Sequence, residues 1–245
     1  MIYDCLMLDS ELDLLELRMK ILKDVVDKFI VIESTESFTG RPKKAHLSEN
    51  LGRFLELGNI ESYVIDLPKG ATPLERECYS RNYVQNLLNL SNTDITFISD
   101  LDEIIPTHNL LDNLELKKVY FKMQTSYYHI NNVVVEPKSH NEWVGSVRIV
   151  GKLNESPQHL RDTRWYGPFI HGGYHWSFLG SPHEISDKLH NTHHQEYNTP
   201  ELNNIDKINN LIKDGKEILG RGFKFEYEPL DKFPKQILEY PQFIK

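Results

Sequence analysis

Asp100-Leu101-Asp102-Glu103 packs three carboxylates into four residues, directly behind the apolar run Ile95-Thr96-Phe97-Ile98. Carboxylates this close repel one another unless a cation lies among them. Oxygen ligands of this kind suit Mg²⁺ or Mn²⁺, which can also hold a substrate diphosphate. The Asp-x-Asp spacing lets Asp100 and Asp102 reach toward one ion from an extended turn. The competing reading is a solvated acidic turn that heads the next element. The buried run before it puts the two readings on level terms, because ligands of open α/β sheets bind beyond the carboxyl ends of the strands.

Other groups could share that chemistry. Arg76, Glu77, Arg81 and Asn82 lie in one short segment. Glu77 and Arg81, four apart, read either as a surface pair worth about 0.2–0.5 kcal/mol or as a cation aimed at a phosphate or at the acidic turn. Gly172-Gly173-Tyr174-His175-Trp176 joins close backbone approach to two aromatic faces that stack on sugar rings. His175 is either a neutral-imidazole metal ligand or a buried, hydrogen-bonded histidine. Glu184, in Ser181-Pro182-His183-Glu184, is a candidate base or a helix cap, with Glu155 and Asp187 behind it. Glu33 ends an apolar run. His190, His193, His194 and Glu196 lack zinc-motif spacing and read as a polar loop.

These residues need elements to position them. Residues 2–8 read as a strand. Ser10-Glu11-Leu12-Asp13 reads as a variant capping box, and Leu12, Leu15, Met19 and Leu22 form one helical face. Lys28 to Glu33 reads as a second, buried strand. This β-α-β pattern favours a parallel sheet with crossover helices. A loop over 34–47, a short helix near 48–57 and a strand near 62–66 follow. Thr72-Pro73-Leu74-Glu75 starts a helix that is expected to run to about Leu90, before the strand from Asp94 to Ile98. Segments 118–124, 126–135 and 143–150 are rich in Val, Tyr, Phe and Trp and read as antiparallel strands. Helices are expected near 182–190 and 201–213. The chain is expected to form one domain over 1–245, with a change of character near 115 and no linker there.

Composition excludes several classes. The 245 residues carry 28 Lys+Arg against 36 Asp+Glu, a net charge of −8, with no dense basic block. That argues against nucleic acid as a partner. No apolar run approaches the ~20 residues of a membrane span. Two cysteines make no disulfide framework or zinc spacing. With no basic n-region behind Met1, the expected compartment is cytoplasmic.

In order along the chain, six segments resemble family 17 glycosyltransferases, the family of the β-1,4-mannosyl-glycoprotein N-acetylglucosaminyltransferases. They are Ile2-Tyr3-Asp4 with Glu11, Asp13, Glu16 and Arg18; Val25 to Glu33 with Phe38-Thr39-Gly40; Arg76-Glu77 with Arg81-Asn82; Ser99 to Ile104; Gly173-Tyr174-His175-Trp176-Ser177; and Phe233 to Phe243. Tyr174 stands where the family often has Trp. The resemblance spans about residues 2–243. It implies an α/β fold of the GT-A type: a Rossmann-like, mostly parallel sheet forming a nucleotide-sugar half over about 1–115, and a smaller antiparallel, acceptor-side part over about 116–245. It also implies inverting, Mn²⁺- or Mg²⁺-assisted transfer of a sugar, GlcNAc first among them, from a UDP-sugar donor to a glycan acceptor.

On that reading Asp102, Asp100 and His175 hold the metal. Glu33, Arg76, Arg81, Asp100 and Glu103 bind the donor, Tyr174 and Trp176 the acceptor, and Glu184 is the base. Two rivals use the same residues. A metal-dependent hydrolase would turn the carboxylates and His175 on water. A non-catalytic carbohydrate-binding protein would use Tyr174, Trp176 and Trp165 as platforms.

Overall fold

A computed structural model describes residues 1–105, 107–108 and 110–245. β1 (Ile2–Met7), α1 (Leu12–Leu22) and β2 (Lys28–Ser34) form the opening β-α-β unit, with Cys5 of β1 opposite Ile30 of the parallel β2. The α1 stripe works as read: Leu15, Met19 and Leu22 are fully buried, each such side chain contributing roughly 1.5–3 kcal/mol. Its cap does not. The helix starts one turn position later than expected, with Glu11 as its N-cap and no side-chain cap bond. Glu11 instead accepts from the backbone N–H of Ser10.

α2 (His46–Asn50) is shorter than expected and continues as a 3-10 turn over Leu51–Arg53. β3 (Ile60–Ile65) pairs parallel with β2. α3 (Pro73–Asn82) begins with the full capping box of Thr72 and Glu75. It ends well short of Leu90, and α4 (Val84–Leu87) follows after a break at Tyr83. β4 (Ile95–Ile98) pairs parallel with β1. Every β4 residue is buried, as a strand in the middle of a covered parallel sheet requires.

The second half begins with β5 (Glu103–Ile104), followed by β6 (Lys118–Tyr127) and β7 (Asn132–Glu136), then β8 (Glu142–Val150) and α5 (Pro157–Asp162). β9 (Phe169–Ser177), α6 (Pro182–Asn191), α7 (Ile205–Asp214) and β10 (Lys224–Tyr227) complete it. The stretch read as one strand over 126–135 is split, because Tyr128 takes a left-handed conformation and turns the chain. The order β10-β7-β6-β8-β4-β1-β2-β3 makes one sheet. Its seam is β8 antiparallel to β4. β9 lies off that path, parallel to β6 and antiparallel to β5. The α/β architecture is thus a parallel block of β3, β2, β1 and β4 joined edge-on to an antiparallel block. Among the described residues, no helix is long and apolar enough to cross a membrane.

Candidate functional site

The acidic turn leaves β4 at its carboxyl end and is fixed from below by one arginine. Arg18 projects from α1 into the core with no exposure. Its Nε and Nη2 donate to the two oxygens of Asp4, each at 2.7 Å, and Nη2 also reaches Ser99 Oγ at 2.5 Å. Nη1 donates to the carbonyls of Asp100, Leu101 and Glu103 at 3.1, 3.1 and 2.7 Å. A planar guanidinium can serve this many acceptors at once; an ammonium cannot. From above, the N–H of Trp176 donates to the Asp102 carbonyl at 2.8 Å, and Glu103 pairs with His175 across β5 and β9.

The three carboxylates then meet different partners. Asp100 accepts from Arg81 at 3.0 Å and from Arg161 at 2.5 Å, one on each oxygen. Burial raises its pKa, but Arg161 and Arg81 outweigh burial and hold it below the usual carboxylate range. Glu103 has no exposure and accepts from Arg161 and Trp143 Nε1, both at 2.6 Å. A Cβ on Gly145 would lie 2.4 Å from Glu103 Oε1, so that position must be glycine for the carboxylate to fit. Asp102 accepts from Lys188 at 2.9 Å, and His175 Nε2 lies 4.0 Å from its other oxygen. Burial raises Asp102, but Lys188 and His175 bring it below its ordinary value. Burial lowers His175 more than the surrounding carboxylates raise it, which favours neutral imidazole. Its ring stacks on Trp143 at 4.6 Å, and its buried Nδ1 finds no partner among the described residues.

Asp102 and His175 therefore form a charged carboxylate and a neutral imidazole with one buried nitrogen unsatisfied. That donor set fits a hard divalent ion that takes one or two protein ligands and completes its shell with substrate phosphates and water. No group of three or more His, Cys, Asp or Glu positioned for a metal exists among the described residues. Asp100, also expected to share the ion, has a guanidinium on each oxygen, whereas Asp102 meets one lysine.

Further expectations are corrected by burial. Glu103 is sealed beneath Arg161 and Trp143 and is closed to a donor. Glu33 is 2% exposed and accepts from the N–H groups of Leu47 and Ser48 and from the hydroxyls of Ser48 and Ser62. It ties α2 to β3 and has no face left for a nucleoside. Trp176 is fully buried against Tyr174 at 5.6 Å and offers no sugar platform. Tyr174, its strand neighbour but one, faces away from His175, as alternation demands. It lines a cleft of about 500 Å³ with Lys122, Gln124 and Glu142, on the side of the sheet opposite the carboxylates.

Of the remaining residues, Arg81 reaches the turn directly and Glu77 through it. Arg81 bridges Asp100 and Glu77, the latter at 2.6 Å, and Glu77 also pairs with His193. Arg76 has a buried Nε without a partner and a 3.5 Å ion pair to Glu36. Its guanidinium lies against Gly40, where a Cβ would approach within 2.8 Å and φ is +82°. Glu184 completes the capping box of α6 with Ser181, and both of the bonds it accepts fall on Oε2. His194 pairs with Glu196 at 2.7 Å. Glu155 pairs with Lys118 at 2.7 Å.

Arg18, Trp143, Arg161, Arg164 and Lys188 carry the site without having been given a role from sequence. The signal for two of them lay in Ser156-Pro157 and Ser181-Pro182, each a helix start of the kind read correctly at Thr72-Pro73. Arg161 and Lys188 follow on the helices those starts announce.

The model of glycosyltransferase family 17 matches residues 1–228. No curated protein matches the chain. Among solved structures, a mannosyltransferase from Pyrobaculum calidifontis, in complex with GDP-Man and Mn²⁺, is similar at a TM-score of 0.41 and 10% identity. That similarity covers 71% of this chain and 56% of the mannosyltransferase.

Proposed function

The chain belongs to glycosyltransferase family 17, and from that premise we propose that it is an inverting, metal-assisted transferase carrying GlcNAc from UDP-GlcNAc to a hydroxyl of a glycan. The observation that carries the reading is the Asp102–His175 pair at the carboxyl end of β4, 4.0 Å apart and served by one lysine. A Mn²⁺ or Mg²⁺ ion held by these two residues, bound together with the donor, would offset the charge developing on the diphosphate leaving group.

The chain's own groups do the rest. Lys188, whose pKa Asp102 raises despite burial, stays charged and adds positive field beside the leaving group. Arg76, facing the loop around Gly40, meets the nucleotide. Arg81 and Arg161 act through Asp100 and Glu103 and hold the turn in place. Glu184 precedes Lys188 by one helical turn, so the two share a face of α6. We assign it the acceptor's proton. Its cap bonds fall on Oε2, and the transfer requires the acceptor hydroxyl to come within hydrogen-bond reach of the carboxylate.

Calorimetry with UDP-GlcNAc, UDP-glucose and GDP-mannose, each with Mn²⁺ and with EDTA, tests the reading. Tight binding of UDP-GlcNAc that requires Mn²⁺ is expected. Equal affinity in EDTA overturns the metal role, and preference for another donor overturns the sugar.

A further inference from the structure

Two large aromatic side chains stand in water at the edge of the carboxylate network. Trp165 is 52% and Tyr166 88% exposed, both on the 3-10 turn Arg164–Tyr166 that follows α5. Neighbouring exposed aromatics mark binding surfaces. Arg164 joins them to the site. Its guanidinium carbon lies 5.0 Å from the Trp165 ring centre and 5.4 Å from that of Trp143. Trp143 is the side chain that donates to Glu103 and stacks on His175. The patch is therefore continuous with the carboxylate side of the sheet, where Tyr174 and Trp176 are absent.

Arg164 also differs from the other cations there. Arg81, Arg161 and Lys188 are each matched by carboxylates. Arg164 forms no ion pair among the described residues. One Nη donates to the Arg161 carbonyl at 2.7 Å, and the buried Nε has no acceptor. Burial, then the charge of Arg161, lowers its pKa to about 10, so it is a cation at neutral pH. A buried N–H with no partner carries its full desolvation cost until an acceptor arrives. A guanidinium fork is shaped for a carboxylate or phosphate.

We propose that Arg164, Trp165 and Tyr166 form the acceptor subsite, and that it takes a sugar ring bearing an anionic group, the ring on the aromatic faces and the carboxylate or phosphate on Arg164. The assignment rests on the transferase reading, since it names the acceptor side of the same site. It supplies the sugar platform that buried Trp176 cannot.

The test titrates the full chain, with UDP and Mn²⁺ present, against four probes: a disaccharide ending in glucuronic acid, the matching glucose disaccharide, glucose 6-phosphate and inorganic phosphate. A charged sugar is expected to bind roughly tenfold or more tightly than the neutral disaccharide and inorganic phosphate, the scale of a desolvated charge pair. The tighter of the two charged sugars identifies the anionic group. Arg164→Gln should abolish the preference for charge, and Trp165→Ala with Tyr166→Ala should weaken every sugar. Both aromatics are exposed, so the double variant should melt with the wild type. Equal binding of the neutral disaccharide overturns the proposal. So does inorganic phosphate binding as tightly as the sugars, unchanged binding by the aromatic variant, or no binding of any probe. Mn²⁺-dependent UDP-GlcNAc binding is measured alongside. Its loss would indict the transferase reading, whereas failure of the subsite alone leaves it intact.

Discussion

Asp100 and Asp102 are two residues apart on one turn, yet they occupy opposite kinds of environment. Asp100 faces α3 and α5, and a guanidinium claims each of its oxygens. Asp102 faces α6 and β9, with one ammonium and an imidazole that has a nitrogen to spare. A carboxylate saturated by arginine forks is part of the frame. A carboxylate with one lysine partner and an unsatisfied neighbouring imidazole keeps an oxygen to offer a ligand. The Asp-x-Asp pattern does not distinguish them, because the distinction is made by residues about 60 and 86 positions further on.

The frame common to both is Arg18, so removing it breaks the comparison outright. Arg18→Ala leaves Asp4 buried without its cation and three carbonyls of the turn without a donor. Loss of one partner of a buried pair costs about 3–5 kcal/mol. Urea unfolding should show a loss of that size, with donor binding falling as well. An unchanged midpoint would mean that the turn is held by its strands alone.

The comparison itself is sharpened by a matched pair. Asp102→Asn should abolish Mn²⁺-dependent UDP-GlcNAc binding in calorimetry while changing the melting temperature little. Asp100→Asn should keep metal-dependent binding and lose about 1–3 kcal/mol of stability, since Arg81 and Arg161 retain Glu77 and Glu103 but lose a buried acceptor. The reverse pattern would exchange the roles of the two aspartates.

Acid titration probes the framework carboxylates from another direction. Glu77 and Asp100 have folded-state pKa values below their ordinary 4.5 and 3.8, because His193, Arg81 and Arg161 outweigh burial. For carboxylates so depressed, the stability they contribute is present above the ordinary values and is lost as pH falls through them. Melting temperature should decline gently as pH falls below about 6.5, where His175 and His129, held neutral by burial, resist protonation, and drop more steeply below about 4.5. Asp100→Asn should flatten that drop. An equal slope in wild type and variant would show that Asp100 is not tuned by its arginines.

What could be read from the sequence follows the range of the interactions. The β-α-β opening, the Thr72 cap and the strand leading into the acidic turn depend on neighbours within a helical turn or an alternating run, and the structure has them in place. The capping box at Ser10 fails because Glu11 takes the cap position and satisfies Ser10 instead. β9 gave no period to read, since Gly172, Gly173 and a bulge opposite β6 interrupt its alternation. At the site, residue types were legible and partners were not. Trp176 and Tyr174 look alike as sugar platforms, and only the packing of α1 and the C-terminal turns over that face shows one buried and the other turned from the carboxylates. Arg161 and Lys188 sit on helices whose start signals were legible, but nothing local says which carboxylate each will meet.

The smallest expected effect tests whether saturation marks a framework carboxylate in general. Glu33, at the end of β2, resembles Asp100 more than Asp102. Its Oε2 accepts from Leu47 N–H, and its Oε1 accepts from Ser48 N–H and from the hydroxyls of Ser48 and Ser62 at 2.6–2.8 Å. Burial raises its pKa, but these four donors outweigh burial and keep it below the ordinary value. Glu33→Gln keeps the size and one carbonyl oxygen, and it turns an amide N–H₂ toward donors that need acceptors. At least one hydrogen bond is lost and one buried donor stranded, which costs about 1–2 kcal/mol. The loss should appear as a lower unfolding midpoint, with faster hydrogen exchange in α2, because Leu47 and Ser48 head that helix. Affinity for UDP-GlcNAc with Mn²⁺ should stay at the wild-type value, because no oxygen of Glu33 is open to a nucleoside. If donor affinity falls while stability holds, Glu33 binds the donor after rearranging. Saturation in the unliganded protein would then be no guide to which carboxylates ligands can recruit, and Asp100 would return as a candidate for the metal.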